Sequence, residues 1–339
     1  MLKKFSKYLN LLYDKGRDIQ NGKQGKYLKI LIIGAGKFGS KRLKVASNLG
    51  FKTYVVEICP DRRKELKNEY NDSSKMRVFE KIEDLPSKDF DLTILSTPNY
   101  LHLDHILEVD KQLNTLILCE KPVVTSKDQL KKLDSIHLKN ELLMGENFLY
   151  FPVVEYLRHE VDYQEVRELK VSIGHNSQQL LNSWNLDKQK SGGGTLIDNG
   201  IHVLNFLYSI FENLEISDAS FNLCEQGVEE TANIHLNSGN GCRVTFNSSW
   251  KKKDGYANFQ IFFKNGKRIE AEITSDQIKT FNKDGSENTI NLKSSYSLEN
   301  EIKEITNIPK EMRQSILMRN IKSMNLVFDI YNFIKNGGK

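Results

Sequence analysis

The spacing of hydrophobic positions changes character partway along this chain. From residue 28 to residue 145, short runs of apolar β-formers alternate with stretches of helical period. The runs predict strands at 28–33, 52–57, 76–79, 91–96, 115–119 and 141–145. The stretches between them predict helices at 39–49, 60–70, 100–112 and 126–139. Strands that alternate with helices form βαβ units, and a parallel sheet follows. Beyond Gly145 the order differs. A helix is expected at 152–160, a half-buried strand at 165–174, a polar irregular stretch at 175–193 and a strongly helical segment at 195–211. Strands then follow at hairpin spacing, 214–224, 228–236, 242–250, 256–264 and 267–273, with Ser-Gly-Asn-Gly at 238–241 and Asn-Gly at 265–266 as turns. Such a sheet is antiparallel and leaves one face to solvent or to a partner. Residues 312–334 read as a helix that can return to the first half. No internal repeat or low-complexity tract is present.

The pattern therefore predicts an α/β protein, with a parallel sheet first and then an α+β domain built on a mostly antiparallel open sheet. The boundaries fall at an extension over 1–26, a first domain over 27–146, a second over 147–311 and a C-terminal helix over 312–339. At 339 residues the chain can bury two cores. Its 39% hydrophobic and 27% charged content is that of an ordinary globular protein.

Charge looks informative until it is located. Seven of the 49 basic and two of the 44 acidic side chains lie in residues 1–26, so that arm carries the whole net charge of +5 and the remainder balances. The folded body has no global pull on polyanions, and no nucleic-acid partner is expected. The arm itself reads as a basic amphipathic helix over 1–20, with Leu2, Phe5, Leu9 and Leu12 on one stripe and a flexible joint at 21–25. It can serve as a membrane-surface or partner-binding arm. The favoured alternative is a helix docked on its own body or on an oligomer mate. No apolar run reaches the roughly 20 residues that span a membrane. The N-terminus also lacks the apolar core and small-residue cleavage site of a secretory leader. Cys59, Cys119, Cys224 and Cys242 are scattered without Cys-x-x-Cys spacing, which suits a reducing cytoplasm and argues against zinc or a disulfide framework.

The stretch KILIIGAGKFG, 29–39, carries the clearest chemistry. A strand runs into Gly34, which makes the tight turn. Gly36 lets the backbone approach a pyrophosphate, and Gly39 lets the next helix lie against the strand. With Lys37 and Phe38, these residues place helix-start N–H groups where phosphates bind. The second strand ends at Glu57, 23 residues after Gly34, near the roughly 20-residue offset of a carboxylate that binds ribose hydroxyls. Glu57 would repel a 2′-phosphate and is followed by Ile58, so NAD is expected over NADP. Thr97, Pro98 and Asn99 follow the 91–96 strand, and Glu120 and Lys121 follow the 115–119 strand. These ends of a parallel sheet are where a dinucleotide lies. His102 is the one histidine near this edge.

Three residues could act on a substrate. Lys121 precedes Pro122, and an X–Pro bond adopts cis at a modest cost of ~0.5–1 kcal/mol. A cis bond would aim the lysine into the cleft, although Lys-Pro after a strand is usually only a loop. Asp198 and His202 are four apart on a predicted helix and so share a face. A solvated face with a helix-stabilising Asp–His pair is the plain alternative. Gly192, Gly193 and Gly194, just upstream, favour the functional reading because glycines permit close approach of a ligand. One Asp and one His are too few for a metal site, and no Gly-x-Ser-x-Gly elbow is present.

With these stretches in place, the chain resembles the glucose–fructose oxidoreductase / inositol dehydrogenase / rhizopine-catabolism (Gfo/Idh/MocA) family. The matching stretches are GAGKFG (34–39), STPNYLH (96–102), CEKPV (119–123), GENFLYFP (145–152) and SGGGTLIDNGIHVLN (191–205). The resemblance implies a Rossmann domain followed by a mostly antiparallel α/β domain whose sheet often forms the oligomer contact. It implies NAD(P)-dependent hydride transfer between a secondary alcohol carbon of a sugar, cyclitol or nucleotide sugar and nicotinamide. The family's lysine falls on Lys121, and its Asp and His fall on Asp198 and His202. His202 would take the hydroxyl proton, Lys121 would stabilise the oxygen, and Asp198 would bind a substrate hydroxyl and help hold His202. Asn147, Trp184 and Asn199 complete the expected substrate contacts, although Trp184 could equally be core. Transient oxidation with recycled NAD, and a sensor without turnover, are the rival readings.

Overall fold

The computed structural model describes residues 28–70, 75–176 and 184–338, with the side chains of 252–256 excepted. The expected basic arm over 1–26 lies outside the described residues. The first sheet has six parallel strands in the order β3-β2-β1-β4-β5-β6. They are β1 (Lys29–Ile33), β2 (Lys52–Val56), β3 (Met76–Phe79), β4 (Asp89–Leu95), β5 (Asn114–Glu120) and β6 (Leu142–Gly145). Helices α1 (Lys37–Asn48), α2 (Pro60–Glu69), α3 (His102–Gln112) and α4 (Lys127–Ser135) connect them.

Because helices cover both faces, these strands are apolar throughout rather than alternating. Ile30, Ile32, Leu92, Ile94 and Leu118 pack with Leu43 and Ala46 of α1. Leu31, Ile33, Leu95 and Ile117 pack on the other side with Leu103, Ile106 and Leu130. Strand order turns outward between β1 and β4, so a crevice opens there at the carboxyl edge.

The second half holds α5 (Pro152–Glu160), β7 (Val166–Asn176), α6 (Lys188–Ser191) and a π-helical turn at Leu196–Gly200 that leads into α7 (Ile201–Ile210). Strands β8 (Leu214–Leu223), β9 (Glu229–Ser238), β10 (Arg243–Ser249), β11 (Lys251–Phe263) and β12 (Arg268–Glu272) follow. With β13 (Gln277–Phe281) and β14 (Glu287–Asn291), the eight-stranded sheet runs β14-β13-β12-β11-β7-β10-β9-β8. Its inner face is buried through Leu169, Val171, Ile173, Ile234, Phe246 and Ile261, while Lys170 and His235 on the other face are exposed.

The sheet is mostly antiparallel as expected, and three features lie beyond the sequence pattern. First, β7 pairs parallel with β10. Hairpin spacing reveals neighbours in sequence, and β7 reaches the sheet centre only through long-range pairing. Second, β13 (Gln277–Phe281) and β14 (Glu287–Asn291) extend the sheet; their single inward apolar residues, Ile278 and Ile290, leave no alternation to see. Third, α8 (Ser297–Asn307) precedes the C-terminal helix and buries Leu298, Ile302 and Ile305 against the first domain. The C-terminal helix, α9 (Lys310–Lys335), does return to the first domain, with Lys127 of α4 paired to its Asp329. Among the described residues no helix is long and apolar enough to cross a membrane.

One acid on α5 gives the fold a pH signature. Burial pushes the Glu155 carboxyl up to about 7, the nearby Glu304 adds to this, and Arg158 opposes it. A carboxyl raised from 4.5 in this way contributes stability that is complete below pH 4.5 and is lost as the pH rises through about 7. Thermal melts across that window should therefore show a shallower decline in Glu155→Gln than in the wild type. Parallel curves for the two proteins would count against it.

Candidate active site

The glycine turn is built tightly on two sides and openly on the third. Gly34 has φ +86°, a conformation that costs an L side chain strain, and a Cβ there would lie 2.9 Å from Thr97 Cγ2. A Cβ on Gly39 would lie 2.0 Å from the Gly34 carbonyl oxygen, so α1 can rest on β1 only with glycine at this point. Gly36 differs, since a Cβ there would meet nothing within 4 Å. Its backbone borders open space at the start of α1, whose first turn carries no acid. These features fit a dinucleotide whose pyrophosphate sits on the helix start. Lys37 opens the helix, and the Phe38 ring lies under Lys41 and Arg42.

Glu57 closes the turn from the side. Its carboxylate accepts from the Ala35 N–H at 2.7 Å and the Cys59 N–H at 2.9 Å. Arg62, which sequence reasoning missed, donates to the Ala35 carbonyl and to Ser40 Oγ, so an acid and a guanidinium both grip this loop.

At the end of β5 the Lys121–Pro122 bond is cis. Lys121 Nζ donates to Asp198 Oδ1 at 2.6 Å and to the Asp198 carbonyl at 2.7 Å, across the two halves of the molecule. Trp250 Nε1 donates to Asp198 Oδ2 at 3.0 Å, and His175 Nε2 lies 3.6 Å from the same oxygen. Burial would raise the Asp198 carboxyl, but Lys121, then His175, and the hydrogen bonds from Lys121 and Trp250 hold it down to about 2. A carboxylate with these partners is ionised at any working pH. Parallel pairing of Ser249 with Gly174 explains the neighbours, because it ends β10 and β7 side by side and sets Trp250 next to His175.

His202 belongs to a different group. Its Nδ1 is hydrogen-bonded to Glu146 Oε1, and its ring stacks on Phe148 at 5.5 Å between centroids. Glu146 stands directly after β6 and is 2% exposed. Its second oxygen accepts from Asn205 Nδ2 at 3.1 Å. Four-residue spacing on a helix would have paired Asp198 with His202. Each instead finds its own partner, Asp198 from the π turn at Leu196–Gly200 and His202 from α7. The expectation that Asp198 holds His202 is thus corrected: Glu146 does.

Other expected site residues are placed differently from the sequence reading. His102 is fully buried, with Nδ1 2.7 Å from the Pro122 carbonyl and Nε2 2.8 Å from the Thr97 carbonyl. It ties the Thr97–Pro98–Asn99 loop to the Lys121 loop and has no surface left for a cofactor. Glu120 is likewise turned inward, bonded to Arg42 Nε at 2.7 Å. Asn199 is buried and bonded to His175 Nδ1 at 3.2 Å and to Thr195, so it orients the histidine. Gly192, Gly193 and Gly194 make their close approaches to protein. Added Cβ atoms would strike the Thr125 backbone, the Tyr331 hydroxyl and the Glu229 carbonyl. Thr97, Pro98, Asn99 and Asn147 stay partly exposed, Asn147 near Ser297 of α8. Trp184 stands edge-on to Tyr100 beside the Pro98–Asn99 loop.

Comparison with known proteins gives a consistent picture. Residues 28–148 match a family model described as oxidoreductase family, NAD-binding Rossmann fold. Residues 162–269 match a GFO/IDH/MocA C-terminal domain. A D-xylose 1-dehydrogenase (NADP+) from Haloarcula marismortui is 23% identical over 52% of this chain and 52% of its own length. A glucose-6-phosphate 3-dehydrogenase from Bacillus subtilis is 27% identical over 42% of this chain and 43% of its own. The chain thus spans about half the length of the curated relatives it matches. Among solved structures, a UDP-N-acetylglucosamine 3-dehydrogenase from Acidithiobacillus ferrooxidans superposes with a TM-score of 0.73, at 14% identity, over 90% of this chain and 97% of that one. The 3-ketoreductase KijD10 from Actinomadura kijaniata gives 0.75 at 16% identity, over 89% and 96%. At these identities the likeness establishes the fold alone.

Proposed function

Because this chain belongs to the GFO/IDH/MocA oxidoreductase family, we propose that it transfers hydride between a secondary alcohol carbon of a sugar, cyclitol or nucleotide sugar and a nicotinamide cofactor. The observation that carries the reading is the meeting of Lys121 and Asp198 across the two domains, at the carboxyl edge where the glycine turn also lies. Gly34, Gly36, Lys37 and Gly39 would hold the cofactor's pyrophosphate, and Thr97, Pro98 and Asn99 would flank it. Bound there, the nicotinamide supplies the hydride acceptor or donor.

The chain's own residues divide the rest of the work. His202 takes the hydroxyl proton, a task suited to imidazole. Lys121 stabilises the substrate oxygen as negative charge develops, and preorganised donors of this kind contribute ~3–4 kcal/mol. Asp198 fixes the Lys121 ammonium and offers its remaining lone pairs to a substrate hydroxyl. His175 and Trp250 frame the same carboxylate, and Asn147 and Trp184 border the substrate side. Glu57 supports NAD over NADP, since a second negative charge beside it is repelled. The open face of the eight-stranded sheet is the surface we assign to self-association.

The test is nicotinamide absorbance with NAD or NADP and a panel of D-xylose, glucose 6-phosphate, inositols and UDP-N-acetylglucosamine. Reduced cofactor with one of them, and a preference for NAD, is the expected result. Consumption of a sugar without net cofactor reduction would mean that the hydride returns to the product. Sugars left unchanged while cofactor binds would overturn the proposal.

A further inference from the structure

The His202–Glu146 pair does not stand alone. Asn205, one turn beyond His202 on α7, is fully buried, and its orientation is set from the C-terminal helix. Arg319 Nε donates to Asn205 Oδ1 at 3.1 Å, and Asn320 Nδ2 approaches the same oxygen at 3.4 Å. An amide whose oxygen is taken by donors must turn its NH2 the other way, and Asn205 Nδ2 accordingly points at Glu146 Oε2. The backbone N–H of Glu146 is itself donated to Glu301 of α8. Side chains of α7 and α9, with Glu301 of α8, thus fix one carboxylate against one nitrogen of His202.

We infer that Glu146 is the positioning residue that sets the tautomer of His202: its carboxylate holds the proton on Nδ1, and the Asn205 amide, oriented by Arg319 and Asn320, locks that carboxylate in place. The remaining nitrogen, Nε2, is then free of a proton and can accept one from a substrate hydroxyl. The inference rests on the reading of His202 as the base. A ring held in the other tautomer would present N–H to the alcohol and could take nothing from it.

The same geometry predicts what an isosteric change does. In Glu146→Gln the new amide must offer its oxygen to Asn205 Nδ2, because that group is a donor. Its NH2 then faces His202 Nδ1, which becomes an acceptor, and the ring proton moves to Nε2. Adding Asn205→Asp reverses the preference: the acid accepts the glutamine NH2, the glutamine oxygen turns to His202, and the proton returns to Nδ1. A merely structural carboxylate predicts neither swap.

The experiment is 15N NMR of histidine side chains in alkaline buffer, where imidazoles are neutral. It is run on the full chain with NADH bound, with the His202 signals identified by their loss in His202→Gln. Wild type should carry the proton on Nδ1, Glu146→Gln on Nε2, and Glu146→Gln/Asn205→Asp on Nδ1 again. Turnover of D-xylose, glucose 6-phosphate or UDP-N-acetylglucosamine should fall on the order of 10²–10⁴-fold in the single variant and recover in part in the double, at unchanged NADH affinity. A wild-type proton on Nε2 overturns the inference without any variant having to fold, as does a tautomer that Glu146→Gln leaves in place. Full turnover in His202→Ala, with the tautomer pattern as expected, would instead reject His202 as the base while leaving the positioning intact.

Discussion

Changing His202 to alanine should abolish turnover while leaving cofactor binding intact. General-base catalysis of this kind contributes on the order of 10²–10⁴-fold, and no neighbouring group can replace the lost imidazole. Asp198 is engaged by Lys121 and Trp250 and is held down to about 2, far too weak a base for an alcohol proton. Glu146 is buried behind the ring it supports. Cofactor affinity should survive because the glycine turn, Glu57 and Arg62 are held by hydrogen bonds to one another. Fluorescence titration with NADH beside single-turnover kinetics would check both halves. Loss of binding and turnover together would show that His202 supports the fold rather than the reaction.

The second large effect concerns stability. Arg42 is fully buried on α1, and its guanidinium bonds Glu120 of β5 and Glu301 of α8, so one cation joins the glycine-turn helix, the strand that leads to Lys121 and α8. Burial pushes the Glu301 carboxyl up to about 7, Arg42 pulls it down, and Glu120 raises it again. Arg42→Met would leave two carboxylates buried without their cation. Breaking a buried pair from one side costs about 3–5 kcal/mol, a large share of the ~5–15 kcal/mol that holds a typical domain folded. Adding Glu120→Gln and Glu301→Gln should restore most of the loss, since the charges then vanish together. By contrast, the exposed Lys303–Glu299 pair on α8 should contribute no more than ~0.5 kcal/mol. Urea denaturation of the three proteins would decide. An Arg42→Met midpoint equal to wild type would contradict this account of the network.

The first domain was legible because each of its signals is local. Continuous apolar runs, a glycine turn and an acid at the next strand end lie within one βαβ unit, and Gly34, Gly39 and Glu57 meet as that unit requires. The second domain was legible in its hairpins but not in its centre, because β7 joins β10 and β11 across long stretches of chain. Lys121 and Asp198 could be read from spacing and resemblance, and they meet. The partners that define their chemistry could not. His175 and Trp250 come together only through the parallel β7–β10 register. Glu146 had a readable signal, since it is the first residue past β6 on the edge where site residues gather. Four-residue spacing points instead to Asp198, whereas Glu146 and His202 meet across 56 residues of sequence, a contact that spacing does not mark. His102 and Glu120 misled for the opposite reason, since polar residues at strand ends read as ligand contacts until burial shows them bonded inside.

The central claim is a hydride passing from a carbohydrate carbon to nicotinamide, and isotope transfer tests it most directly. Perdeuterated D-xylose, glucose 6-phosphate and UDP-N-acetylglucosamine would each be incubated with the protein and NAD, and the cofactor analysed by mass spectrometry. The account predicts deuterium on the reduced nicotinamide with at least one sugar and none with His202→Ala. Cofactor that binds but is neither reduced nor labelled, while every sugar is recovered unchanged, would contradict it.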